Sequence, residues 1–219
     1  NDFMSKVTAL VPCLNEEERI AKVLEALTNS KFIDSVVVVD DSSIDKSLEV
    51  IRKFPDVSVL PLAKNIGKGG AIRQGIKLVK TPITFLCDAD LMGIRDSEIE
   101  KLVTPVVNGE VFLAVGIRDR GIVGQFLAKH FFPLISGERV IKTEILKKVL
   151  DSSESSGWGL EIYMNYYFRR HGWKIRKVDM KGVMDVFNPT KRGLSYWLRR
   201  LITFWSIYLK IGIYDLKRV

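Results

Sequence analysis

The sequence predicts an α/β fold, a mostly parallel sheet flanked by helices, and three observations carry that expectation. Short β-branched runs alternate with helically periodic segments through the first half of the 219 residues. The runs are apolar throughout rather than at every second position, as strands covered on both faces are. Carboxylates and amides gather at the ends of three of these runs, where ligands bind on such sheets.

Residues 7–12 (VTALVP) read as a buried strand, followed by a helix over 16–27 in which Ile20, Val23, Leu24 and Leu27 recur at helical spacing. Residues 35–40 (SVVVVD) are the second strand, with a helix through Leu48 and Ile51 behind it. Residues 57–62 form a third strand, ahead of a glycine-opened helix over 69–79, and residues 82–87 (PITFLC) form a fourth. The pattern then loosens into a strand over 111–117, a loop over 118–124, helices over 143–150 and 159–171, and a strand over 174–178. No repeat, low-complexity tract or linker divides the chain, so one domain over 4–219 is expected. Asn1, Asp2 and Phe3 precede Met4 and are left out of the fold reading.

Leu194, Trp197, Leu198, Leu201, Ile202, Trp205 and Leu209 make one stripe of a C-terminal amphipathic helix, within 191–219. Its most apolar part, 201–214, contains Lys210 and is shorter than the roughly 20 residues that span a bilayer. Much of the +8 net charge sits at this end, on residues such as Arg199, Arg200, Lys217 and Arg218. Basic residues beside tryptophan and tyrosine suit a helix lying on an anionic membrane surface. Packing on its own domain, or in a homodimer, is the other use of such a stripe. Nucleic acid is not expected as a partner, because no base-reading motif accompanies the charge. No basic stretch followed by an apolar run opens the chain, and Cys13 and Cys87 each end an apolar run as buried thiols would. A cytoplasmic protein, peripheral on the membrane face, is the expectation.

Strand one ends in Asn15-Glu16-Glu17, strand two in Asp40-Asp41-Ser42-Ser43, and strand four in Asp88-Ala89-Asp90. Asn15, Ser42 or Ser43 could each serve only as a helix cap. The Asp88 and Asp90 pair is harder to dismiss, since two carboxylates so close repel unless a cation or donor lies between them. Hard oxygen ligands suit Mg²⁺ or Mn²⁺, which also hold diphosphates. His130 and His171 have no partner pattern and read as structural or exposed.

The ordered set V-P-x-L-N-E-E, V-V-D-D-S-S-x-D, N-x-G-K-G-G-A and D-A-D, over residues 7–90, resembles the nucleotide-sugar half of family 2 glycosyltransferases. Ser136-Gly137-Glu138-Arg139 and Gly157-Trp158-Gly159-Leu160-Glu161 resemble the acceptor half of relatives that include polyprenyl-phosphate sugar transferases and glucosyl-3-phosphoglycerate synthases. The resemblance implies a GT-A, Rossmann-like fold with a donor half over 4–90 and an acceptor half over 91–190. It also implies that Pro12, Leu14, Asn15 and Glu16 line a uridine pocket with Ser42, and that Asp41 meets the uracil edge. Lys68 would lie near the nucleotide, Asp88 and Ala89 against the donor, and Asp90 on the metal bridging the diphosphate. Where relatives supply a metal-binding histidine, this chain has Asp185, which can still ligate Mg²⁺ or Mn²⁺ but leaves metal preference open. Glu161 and Glu138 are candidates for positioning the sugar or acting as base, and Arg118, Arg120 and Arg139 for receiving an anionic acceptor.

The implied activity is transfer of a hexose from a UDP-glucose-type donor to a phosphate-bearing acceptor, polyprenyl phosphate by preference. A small phosphorylated acid such as 3-phosphoglycerate is the alternative acceptor. A non-catalytic nucleotide-sugar-binding protein is a second reading, motivated by Asp185. A nucleotidyltransferase is disfavoured, because Asn15-Glu16-Glu17 stands where a glycine-rich basic loop would follow strand one.

Overall fold

A computed structural model describes residues 6–118, 136–151 and 159–185. The strands are β1 (Val7–Cys13), β2 (Ser35–Asp40), β3 (Val57–Pro61), β4 (Ile83–Leu86), β5 (Leu91–Met92), β6 (Leu113–Arg118), β7 (Arg139–Lys142), β8 (Ile175–Met180) and β9 (Met184–Asp185). The helices are α1 (Ile20–Thr28), α2 (Ser47–Ile51), α3 (Gly67–Gly75), α4 (Asp96–Val107), α5 (Thr143–Asp151) and α6 (Leu160–Arg170).

Seven strands form one sheet in the order β3-β2-β1-β4-β7-β6-β8. The four early strands run parallel, as their apolar runs predict. β7 is antiparallel to both β4 and β6, while β8 runs parallel to β6. Alternate residues of each strand feed two cores. Val7, Ala9 and Val11 of β1 join Ile20, Val23, Leu24 and Leu27 of α1 and Ile99, Leu102, Val103 and Val106 of α4 on one face. Leu10, Val37 and Val39 meet Ala71 and Ile72 of α3 on the other, with Leu146 and Val149 of α5 and Met164 and Phe168 of α6. Each wholly buried leucine among them contributes about 1.5–3 kcal/mol.

Boundaries differ where polar residues are spent on turns. Helix α1 begins at Ile20 rather than residue 16, because the Glu16 carbonyl closes a turn with the amides of Arg19 and Ile20. Helix α3 begins earlier than expected and ends at Gly75. Its start is set by Gly67, whose positive φ of 76° glycine alone adopts at little cost. Helix α4 was not anticipated. Its Ile99, Leu102, Val103 and Val106 have helical spacing, but Pro105 interrupts the pattern that would have advertised it. Strands β5, β7 and β9 were also missed; each is too short for a period-2 pattern to register. Arg118, placed in a loop by its sequence, closes β6, and residues 119–124 of that loop lie outside the described residues. The expected C-terminal helix over 191–219, with His130 and Arg120, lies outside them too. Cys13 and Cys87 are buried and free, as expected. His171 is exposed, its ring against Tyr167 and Trp173.

Candidate active site

The carboxyl ends of β1, β2 and β4 lie side by side, because the three strands are adjacent and parallel. The loops after β1 and β2 are laced together by hydrogen bonds. Asn15 donates its amide to Ser43 Oγ at 3.0 Å and accepts from the Ile44 amide at 2.9 Å. The Glu16 amide donates to Ser47 Oγ at 2.7 Å, and the Lys46 amide donates to Glu17 Oε2 at 2.8 Å. Asn15 and Ser42 both adopt positive φ, which lets each chain turn sharply off its strand. Asn15 is therefore a tie between two strand-end loops rather than a cap on α1. Ser43, Asp45 and Ser47 belong to this lacing, and only the folded register shows their partners.

Pro12 is half-buried, Leu14 is exposed at 39%, and Glu16 is buried with its carboxylate on Arg19. The two aspartates that end β2 differ. Asp41 accepts from the amides of Ile66 at 2.8 Å and Gly67 at 2.9 Å, so both its oxygens hold the start of α3. Asp40 is 3% exposed, and its Oδ1 is a buried acceptor with no hydrogen-bond partner among the described residues. Its Oδ2 accepts from the Ser43 amide at 3.3 Å.

Beyond β4 the two aspartates also diverge. Asp88 Oδ1 lies 2.7 Å from Lys68 Nζ, and Oδ2 pairs with Arg118 Nη2. Lys68 also reaches Glu161 Oε1 at 2.7 Å, and Arg118 holds Glu138 through Nε at 2.5 Å and through Nη2. Ser136 Oγ donates to Glu138 Oε2 at 2.7 Å. Charges thus alternate along Glu161, Lys68, Asp88, Arg118 and Glu138. Burial alone would raise the Asp88 carboxyl, but Lys68 and Arg118 outweigh it and hold it well below the usual carboxylate range. Burial would likewise lower Lys68, yet Asp88 and Glu161 raise it, so the ammonium stays charged. The repulsion expected between Asp88 and Asp90 is met here by these two cations.

Antiparallel β7 explains the assembly. Its register, Leu86 opposite Arg139 and Val115 opposite Arg139, sets the start of β7 at the carboxyl ends of β4 and β6 together. Ser136, Gly137 and Glu138 arrive there from far along the chain. Glu138 is wholly buried with both oxygens engaged, so the base role expected of it gives way to holding Arg118. Arg139 is also wholly buried, donating to the Ser136 carbonyl at 2.9 Å and to Asn165 Oδ1 at 2.8 Å. Burial pulls its guanidinium down to about 10. Its expected place in an acceptor site gives way to a supporting one, and Arg118, 7% exposed, is committed to Asp88 and Glu138. Glu161, in the first turn of α6, is 6% exposed.

Asp90 is half-buried and makes no hydrogen bond or ion pair with the described residues. Burial and the neighbouring Asp88 raise its carboxyl. Leu91 pairs with Asp185 across β5 and β9, which sets Asp185 opposite the residue that follows Asp90. An unpartnered hard carboxylate fits Mg²⁺ or Mn²⁺, ions that take one or two protein carboxylates and complete their shell with substrate phosphates. No group of three or more His, Cys, Asp or Glu among the described residues could hold a metal alone. Ala89, between the two aspartates, is buried.

A mostly parallel sheet thus carries a strand-end acidic pair, with a lysine and an arginine on its first member, at the strand ends where ligands bind on such sheets. The chain belongs to glycosyltransferase family 2: the family model described as Glycosyl transferase family 2 matches residues 8–170. A dolichyl-phosphate beta-glucosyltransferase of Trichomonas vaginalis, ALG5C, is 31% identical over 96% of this chain and 73% of its own length. An uncharacterized protein of Methanocaldococcus jannaschii is 28% identical over 94% of this chain and 90% of its own. Glucosyl-3-phosphoglycerate synthase of Mycobacterium tuberculosis, solved with Mn²⁺, UDP-glucose and phosphoglyceric acid, superposes with a TM-score of 0.71. That match is 21% identical and covers 85% of this chain and 74% of the other, which shows the shared fold. The protein is a family 2 glycosyltransferase.

Proposed function

We propose that this enzyme moves a hexose from a UDP-glucose-type donor to a phosphate-bearing acceptor, polyprenyl phosphate by preference. The observation that carries this reading is the split state of the acidic pair: Asp88 neutralised by Lys68 and Arg118, Asp90 left without a hydrogen-bond or ion-pair partner among the described residues. The likeness to dolichyl-phosphate beta-glucosyltransferases supports the lipid acceptor. The complexes of the structural neighbour with UDP-glucose, Mn²⁺ and phosphoglyceric acid support the donor, the metal and, as second reading, a small phosphorylated acid.

The uridine sits at the ends of β1 and β2, over Pro12 and Leu14. Asp41 accepts the imide N–H of uracil with the acceptor capacity left beyond the α3 amides, and Asn15, Glu16 and Ser42 shape the floor through the loop lacing. Asp88 keeps lone pairs beyond those given to Lys68 and Arg118, and accepts from a donor hydroxyl. Asp90, with Asp185, would hold Mg²⁺ or Mn²⁺. Bound there, Mg²⁺ or Mn²⁺ supplies charge neutralisation for the departing UDP.

In the transfer, the bond between the anomeric carbon and the diphosphate oxygen breaks with its electron pair on UDP. A bond from the acceptor oxygen forms at that carbon. A phosphate acceptor is already ionised at neutral pH and needs no base, so Glu161 serves to orient the sugar.

The test is UDP release from UDP-glucose with polyprenyl phosphate, with 3-phosphoglycerate, or with neither, in Mn²⁺, Mg²⁺ or chelator. Metal-dependent release with the lipid phosphate supports the reading. Release with 3-phosphoglycerate alone moves the assignment to the small acceptor, and absence of UDP binding in any metal ends it.

A further inference from the structure

We propose that Gly137 and Glu138 are positioning residues for Asp88, one by leaving it room and the other by aiming Arg118 at it. The inference rests on the donor-binding role given to Asp88 above. A Cβ added at Gly137 would lie 2.6 Å from Asp88 Oδ1 and 2.7 Å from its Cγ, closer than carbon approaches either atom. Gly137 is not among the positive-φ glycines, so the requirement is for space and not for backbone freedom.

Glu138 works from the other side. It is wholly buried, accepts from Arg118 through both oxygens, and is pinned by Ser136 Oγ at 2.7 Å and by its own carbonyl, which accepts from the Gly116 amide at 2.9 Å. Arg118 is planar and rigid, so gripping it at Nε and Nη2 fixes where Nη2 presents itself to Asp88. Asp88 is thus held by a cation of fixed direction on one oxygen and walled by the glycine. Lys68 on its other oxygen is the more exposed and adjustable contact. A carboxylate that must meet a donor hydroxyl within a few tenths of an ångström gains from such a cradle.

The experiment uses the full chain with Gly137→Ala, Asp88→Ala, the double variant, and Glu138→Gln. Melting temperature, UDP affinity, and kcat and KM for UDP-glucose with metal are read for each. Gly137→Ala and Glu138→Gln are expected to lower kcat by about 10²-fold while UDP affinity changes by less than about threefold. In the Asp88→Ala background the added methyl has its space, so Gly137→Ala should cost no further melting temperature and no further kcat. The proposal is overturned if Gly137→Ala lowers the melting temperature equally in both backgrounds, or if it turns over like the wild type. Wild-type turnover by Asp88→Ala would instead remove the donor role of Asp88, and the stability coupling would still decide whether Gly137 walls it.

Discussion

Asp88 and Asp90 stand two residues apart, and their surroundings drive them in opposite directions. Asp88, held low by Lys68 and Arg118, contributes stability that is present above the unfolded carboxyl value and lost as pH falls through its depressed folded value. The melting temperature should therefore fall steeply below about pH 4, and Asp88→Asn should flatten that limb. Asp90, raised by burial and by Asp88, binds its proton more readily folded than unfolded, so its ionisation opposes folding as pH rises past the unfolded value. Metal needs the ionised form. Affinity for UDP-glucose with Mn²⁺ should rise with pH toward the Asp90 value and level above it; titration calorimetry on wild type and Asp90→Asn tests this, the variant showing no such slope. Asp90→Asn should also lower kcat by about 10²–10³-fold, measured as UDP release.

Elements decide how close these groups come. Helix α3 delivers Lys68, and it lies tight against the sheet because Gly75 has no side chain there. A Cβ at Gly75 would come within 2.5 Å of Leu10 Cδ1 and 2.6 Å of Val39 Cγ2. Gly75→Ala should cost about 1–3 kcal/mol in chemical denaturation and, by tilting α3, weaken the reach of Lys68 to Asp88. Asp41 fixes the other end of the helix through the amides of Ile66 and Gly67. Asp41→Ala, which leaves the Ile66 amide unpaired and the Gly67 amide to Asn65 Oδ1 alone, should cost about 1–2 kcal/mol, and donor affinity should fall with it.

Across the whole molecule, the alternating chain from Glu161 to Glu138 ties α6 and α3 to β4, β6 and the segment before β7. Lys68 is the link between two distant parts of the chain, since Asp88 and Glu161 lie 73 residues apart in sequence and share its ammonium. Lys68→Met should destabilise the fold by about 2–4 kcal/mol, because it leaves Glu161 without its cation and Asp88 with Arg118 alone. Urea denaturation would measure it, and Lys68→Met with Glu161→Gln should recover part of the loss.

The donor half was legible in the sequence because local rules suffice for it. Continuous apolar runs in 7–12, 35–40 and 82–87 need cover on both faces, and that makes a parallel sheet whose strand ends carry Asn15, Asp40, Asp41, Asp88 and Asp90. Helix α4 hid behind Pro105, and β7 is four residues long, too short to carry a period. What only the tertiary structure decided is which of these groups is free. Arg118, Glu138 and Arg139 read as candidates for acceptor and base, yet antiparallel β7 buries two of them and commits the third to Asp88. Residue type and spacing announce a charge; the partner it meets depends on strands that pair across long stretches of chain, and that pairing decides whether the charge is a tool or a support.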